Sequence, residues 1–175
     1  MATKIANTVS QAAVKLFGKN VKSEACGSYR RGKPTCGDVD VLITRTDSKP
    51  ITNMLEQILQ KLEADKFLYE RLGFSKKPTE SGSQMYMGVC LAPGDTHYRR
   101  VDIKVYPRDE YGSALLYFTG SDQFNRKMRT DAENLGYKLS DHGLFKNDKK
   151  IRCETEADVF KALKLPFKKP SERDL

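Results

Sequence analysis

A chain of 175 residues can form one domain, or one domain with a small appended subdomain, and bury a core without a disulfide or metal staple. Hydrophobic residues at 38% and charged residues at 31% exclude wholesale disorder. No run approaches the about 18 consecutive apolar residues of a membrane helix. The 31 Lys and Arg against 23 Asp and Glu leave a formal charge of +8, which favours a polyanionic partner such as nucleic acid over an acidic protein. Most of the excess is N-terminal, with 17 basic and 11 acidic residues in 1–105 against 14 and 12 in 106–175.

Cys26, Cys36, Cys90 and Cys153 stand far apart with no CxxC pair, and His97 and His142 complete no zinc-ligand pattern. This usage fits a reduced intracellular protein. The N-terminus has a helical pattern in place of a charged segment followed by an apolar run, so no export signal is expected.

Ile5, Val9, Ala12, Ala13, Leu16 and Phe17 recur at helical spacing and predict an opening amphipathic helix that stops near Gly18. After the glycine-bearing stretch 27–37, Val39, Val41 and Ile43 alternate with Asp38, Asp40 and Leu42, the period of a strand with a polar start. Pro50 is expected to open a second helix with Met54, Leu55, Ile58, Leu59 and Leu62 as its buried stripe. The stretch through Pro78 and Gly82 reads as loop. Residues 85–91 and 100–106 read as two strands around a turn with Pro93 and Gly94, and Val101, Ile103 and Val105 share one face of the second strand.

From Glu110 onward the pattern predicts mostly helix. Residues 111–118 and 122–135 are helical, with Ser121 as N-cap and Gly136 as the stop. Thr155 with Asp158 resembles a capping box before a short helix that Pro166 ends. The class is α+β, with a boundary near Tyr106–Arg108.

Asp38 and Asp40 are i and i+2 on a strand, so both carboxylates share one face while Val39 and Val41 turn to the core. Two like charges so close raise each other's pKa unless cations neutralise them, and a divalent ion does so. Asp102 lies on the polar face of a later strand and completes the cluster if the two strands are neighbours. Arg100 shares its face and is placed to orient it. Oxygen-only ligands suit Mg²⁺, and a pair of such ions about 3.5–4 Å apart serves in-line phosphoryl displacement. The bland alternative is a strand start at the surface with a solvated edge aspartate.

Gly27-Ser28-Tyr29-Arg30-Arg31-Gly32 precedes the carboxylates and offers a close backbone approach, a hydroxyl, an amide and guanidinium forks. Such groups pair with triphosphate oxygens, and Gly37 leaves another amide unobstructed. A plain glycine turn with two solvated arginines is the alternative.

The first of these stretches, followed by Gly37-Asp38-Val39-Asp40-Val41-Leu42-Ile43, resembles the signature of family X DNA polymerases. Arg99-Arg100-Val101-Asp102 resembles that family's third catalytic aspartate, and Leu116-Tyr117-Phe118-Thr119-Gly120-Ser121 its nucleotide-selection motif. The ending Pro170-Ser171-Glu172-Arg173-Asp174 agrees, and the resemblance spans nearly the whole chain.

It implies a nucleotidyltransferase palm over residues 1–106, a mixed sheet with helices, and a small helical nucleotide-selection subdomain over 107–175. It also implies catalytic and metal-holding roles for Asp38, Asp40 and Asp102, with two Mg²⁺ ions for which Mn²⁺ can substitute. Gly27, Ser28, Arg31 and Gly37 would meet the incoming triphosphate, and Tyr117, Phe118 and Gly120 its sugar. Asn125 would contact the nucleotide edge, and Arg126 and Arg129 the template, with Arg100 behind Asp102. Taken without the family, Tyr117 and Phe118 are more often core aromatics, and Asn125 with Arg129 a solvated helix face.

The implied activity is DNA-directed DNA synthesis that fills short gaps in repair, on gapped or primer-template DNA with dNTP, by a monomer in the nucleus or in a viral or cytoplasmic setting. A template-independent terminal transferase shares the constellation, and a catalytically silent DNA-binding module is the alternative from another class. Met1 stands at what resembles the first palm helix. A reduced form without the family's N-terminal lyase domain is therefore expected.

Overall fold

The computed structural model describes residues 1–33, 37–75 and 77–175. The chain forms two compact units, Met1–Ala25 with Cys36–Pro107 and Cys26–Thr35 with Arg108–Leu175.

In the first unit the opening periodicity becomes helix α1 (Ala2–Phe17), which buries Ile5, Val9, Ala12 and Ala13. It stops at Gly18, whose φ of 71° suits a residue without Cβ. The second stripe becomes α3 (Met54–Ala64), burying Met54, Leu55, Ile58, Leu59 and Leu62. It begins after the left-handed Asn53 rather than at Pro50. Among the described residues this unit's strands make one sheet in the order β1-β2-β5-β4-β3.

The strands are β1 (Val21–Ala25), β2 (Asp38–Arg45), β3 (Leu68–Phe74), β4 (Gln84–Cys90) and β5 (Arg99–Val105). β2 and β5 run parallel, and the other neighbours are antiparallel. One sheet face, with Val39, Val41, Ile43, Tyr86, Cys90, Val101, Ile103 and Val105, packs into a single core with α1 and α3. The helices therefore cover one face, and the polar positions of β2 and β5 lie on the other.

One strand replaces an expected loop, and another forms where no element was expected. β3 carries two breaks of register against β4, so its buried and exposed positions show no alternation. β1 is a polar edge strand with no fully buried residue.

The second unit contains α2 (Gly27–Arg30), α4 (Tyr111–Thr119), α5 (Asp122–Asn134) and α6 (Glu156–Ala162). The Ser121 hydroxyl accepts from the Phe124 amide at 3.3 Å. Gly136 takes φ 81° just beyond α5. Thr155 and Asp158 form a reciprocal capping box. The expected mostly helical character needs amendment, because β6 (Tyr137–Ser140), β7 (Gly143–Lys146) and β8 (Lys149–Ile151) form a three-stranded antiparallel sheet. Asn147 and Asp148, both at positive φ, make the tight turn between β7 and β8.

The core of this unit gathers Leu116, Phe124, Met128, Leu144, Val159 and Phe160. Beside it lies a largely buried ionic cluster. Arg173 is 0% exposed and its Nη1 donates to Glu156 Oε2. Arg30 donates to both oxygens of Glu156, at 2.8 and 2.7 Å. Arg173 also lies over the rings of Phe124, Phe160 and Phe167, 5.5–5.8 Å from their centroids.

Among the described residues Cys26, Cys90 and Cys153 are buried, and Cys36 lies outside them. No helix of the described residues is long and apolar enough to cross a membrane.

Candidate active site

β2 and β5 are parallel neighbours, and their register sets Asp40 against Asp102 and Asp38 against Arg100. Neighbouring strands lie about 4.8 Å apart and paired residues point to the same side. Asp38, Asp40, Arg100 and Asp102 thus share the face opposite the core. Asp38 is exposed, and Asp40 and Asp102 are half-buried.

Each of the two paired aspartates has a cation from β5. Arg100 Nη2 donates to Asp102 Oδ1 at 3.0 Å, and Lys104 Nζ donates to Asp40 Oδ1. Burial pushes the Asp102 carboxyl above its usual pKa. The Arg100 hydrogen bond opposes this, and the negative charge of Asp40 adds to it.

Among the described residues no three His, Cys, Asp or Glu side chains are gathered into a ready metal cage. The donor set itself fits a hard divalent ion, since it is all carboxylate oxygen on one sheet face, with the negative charge of Asp40 set beside Asp102. Lys104 escaped the sequence-based expectation. Its signal was nonetheless present, because positions 100, 102 and 104 alternate onto one face with the period of a strand.

Gly37 also belongs to this unit. A Cβ built there would meet nothing within 4 Å, which leaves its backbone open to approach.

The other expected residues stand in the second unit. Gly27 starts α2 at φ 66°, and Ser28 follows it, half-buried. Arg31 Nη1 donates to the Thr119 carbonyl at 2.6 Å, and its Nε to Asp174 Oδ1 at 3.2 Å. Lys33 pairs with the same carboxylate. The Lys33 ammonium and then the Arg31 guanidinium hold Asp174 below the usual carboxylate range. Gly120 is required here, because at φ 69° a Cβ would also stand 3.1 Å from Arg31 Nη1. The Gly120–Ser121 peptide is cis.

Tyr117 is not a core aromatic. It is 38% exposed, and its ring meets half-buried Phe118 edge to face with centroids 5.0 Å apart. Asn125 Nδ2 donates to the Tyr117 carbonyl at 2.8 Å, which ties α5 to the end of α4. Tyr117, Asn125 and Arg129 line one small cleft, and Arg126 is exposed outside it. The partners of Arg31, namely Thr119 and Asp174, were missed by sequence. They lie 88 and 143 positions away, and no local pattern marks such a contact.

Family models for the DNA polymerase beta palm and the DNA polymerase beta thumb match residues 2–108 and 114–174. The chain is similar to DNA polymerase lambda of Rattus norvegicus, 43% identical over 172 residues, covering 90% of this chain and 30% of the rat protein. DNA polymerase lambda of Arabidopsis thaliana is 40% identical over 164 residues, with 85% and 31% covered. The chain therefore spans about a third of the length of these curated relatives.

Among solved structures, Leishmania infantum polymerase beta in a ternary P/T complex superposes with a TM-score of 0.87 at 29% identity, covering 99% of this chain and 75% of that one. Its ternary gap complex gives the same TM-score at 28% identity. With palm and thumb models together matching well over half of its residues, the chain belongs to the DNA polymerase beta family, family X.

Proposed function

We propose that this chain is the catalytic part of a DNA-directed DNA polymerase that adds deoxynucleotides to a primer 3′ end and fills short gaps in repair. The observation that carries the reading is the register of β2 against β5, which sets Asp40 opposite Asp102 with Asp38 on the same open face. Family membership supports it, as does the likeness to a polymerase beta solved as a gap complex.

Asp38, Asp40 and Asp102 would hold two Mg²⁺ ions, which when bound favour attack by the primer 3′ oxygen on the α-phosphate and stabilise the leaving pyrophosphate. Arg100 fixes the orientation of the Asp102 carboxylate by its 3.0 Å hydrogen bond. Lys104 compensates the charge of Asp40. We assign residues 1–106 to the palm and 107–175 to nucleotide selection. Gly27, Ser28, Arg31 and Gly37 face the triphosphate, Tyr117, Phe118 and Gly120 the sugar, and Asn125, Arg126 and Arg129 the nascent pair and template.

The test is primer extension with a gapped template, with a primer-template and with the primer alone, in Mg²⁺ and in Mn²⁺. Addition directed by template identity is expected. Equal addition without template would replace this reading by terminal transfer, and no addition with either metal would remove it.

A further inference from the structure

Arg31, assigned above to the triphosphate, is engaged by an anion that the chain itself supplies. One carboxylate is shared by two cations, since Asp174 Oδ1 accepts from Arg31 Nε at 3.2 Å and Asp174 Oδ2 pairs with Lys33 Nζ. All three residues belong to the second unit. A guanidinium and an ammonium closing on the two oxygens of a carboxylate can close in the same way on two oxygens of a phosphate, because both anions offer paired charged acceptors.

Backbone, and not the ion pair alone, places that carboxylate. The Ser121 amide donates to the Arg173 carbonyl at 3.1 Å, and the Leu175 amide donates to the Ser121 hydroxyl at 3.3 Å. The residues on both sides of Asp174 are thus fastened to one serine. Arg31 has a second anchor as well, the Thr119 carbonyl at 2.6 Å from Nη1. Neither side chain needs the Asp174 charge to stay where it is, so the effect of that charge is to occupy the cations. The Lys33 and Asp174 side chains are 46% and 31% exposed, and an ion pair so open to water contributes little to stability. Such a contact opens at small cost to a ligand that carries more negative charge.

We propose that Asp174 is a resident counter-anion that holds Arg31 and Lys33 until phosphate oxygens take its place, so that it weakens the binding of phosphate ligands and favours those of highest charge. The proposal rests on the reading of Arg31 as a triphosphate residue. Loss of the carboxylate has two opposed effects. Arg31 gives up one of two anchors, which weakens binding, while a negative charge beside the ligand disappears and Lys33 is released, which strengthens it. The second effect prevails, because the Thr119 carbonyl holds the guanidinium without Asp174 and the repulsion removed grows with each charge on the ligand.

The experiment is calorimetric titration of the whole chain with inorganic triphosphate at low salt, without metal or DNA. The Asp174→Asn variant should bind it about tenfold more tightly than the wild type. Orthophosphate, with fewer charges, should gain less. Asp174→Glu keeps the charge and should bind as the wild type does. Lys33→Met/Asp174→Asn, which has no lysine to release, should lose most of the gain. In primer extension over a range of dNTP concentrations, Asp174→Asn should lower KM about tenfold and leave kcat in place, because a displaced counter-anion acts on binding alone. A merely structural role for Asp174 would instead lower kcat and thermal stability together.

Unchanged or weaker triphosphate binding by Asp174→Asn, an equal gain for orthophosphate, or an Asp174→Glu variant that gains as much as Asp174→Asn would each overturn the proposal. Its failure is distinct from that of the polymerase reading. A wild type that extends templated primers while Asp174→Asn binds triphosphate no more tightly refutes the counter-anion alone. Tighter triphosphate binding by Asp174→Asn beside a wild type that extends nothing refutes the proposed function and leaves the anion exchange standing. A wild type and an Asp174→Asn variant that both bind no triphosphate refute the exchange and the assignment of Arg31 together.

Discussion

Asp102 is held between opposing demands, burial and a neighbouring carboxylate that favour its neutral form and an arginine that favours its charge. Its side chain adds nothing to the apolar core on the other face of the sheet. The Asp102→Ala variant should therefore keep its fold, with a stability change within about 1 kcal/mol. Nucleotide addition should fall at least about a thousandfold, since a metal ligand supports several kcal/mol of transition-state stabilisation. Single-turnover extension beside thermal unfolding checks both halves, and near-normal extension in Mg²⁺ would refute the assignment of this aspartate. Lys104 bears on the same chemistry from the other side. It lies on the Asp40 carboxylate, so Lys104→Met, which keeps the stem and removes the charge, should lower the half-saturating Mg²⁺ concentration several-fold. A Mg²⁺ titration of the extension rate reads this directly, and an unchanged midpoint would show that the lysine does not compete with the metal.

At the scale of elements, Glu156 in the first turn of α6 joins Arg30 of α2 to the buried Arg173. Burial alone would push its pKa up, but the hydrogen bonds from Arg30 and Arg173 outweigh burial and hold it below its ordinary value. A carboxylate with a depressed folded pKa contributes stability that is complete above its unfolded value, near 4.5, and is lost as the pH falls through the folded one. Glu156→Gln leaves two guanidinium groups without a counter-charge and should cost about 3 kcal/mol at neutral pH. The gap between wild type and variant should narrow as the pH drops below about 4.5. Denaturant midpoints at neutral and acid pH test this, and a gap that stayed constant would mean the charge of Glu156 is not what stabilises the cluster. A second element-level constraint is the approach of α4 to the chain before α6. A Cβ on Gly112 would stand 2.3 Å from the Thr155 carbonyl oxygen and 2.7 Å from that of Cys153. Both are backbone atoms that cannot rotate away. Gly112→Ala should destabilise by about 3 kcal/mol, measured by chemical unfolding.

For the whole molecule, the proposed function together with the +8 charge predicts a DNA affinity that depends strongly on salt. Each phosphate neutralised on duplex DNA adds about 0.9 to the slope of log affinity against log salt. Three or more contacts give a loss of more than tenfold between about 50 and 200 mM. A flat binding isotherm series would contradict a phosphate-based interface. How much of this molecule was legible beforehand follows from the range of the forces involved. Helices α1, α3 and α5, strands β2, β4 and β5, the Ser121 cap and the Thr155–Asp158 box are written in local periodicity and capping chemistry, and the sequence by itself determined them. It also determined that Asp38 and Asp40 share a face, because side chains on a strand alternate. Only the tertiary structure decided that β2 and β5 are parallel neighbours in the register that sets Asp40 against Asp102, since strand pairing depends on contacts more than 60 residues apart. It alone revealed β3, whose bulges erase the alternation, and β6–β8, whose strands of three or four residues are too short to display a period. The tertiary structure likewise supplied Lys104 to Asp40, Thr119 and Asp174 to Arg31, and Arg30 and Arg173 to Glu156. A charge finds its partner through space, and nothing in the neighbouring sequence records where the chain will return.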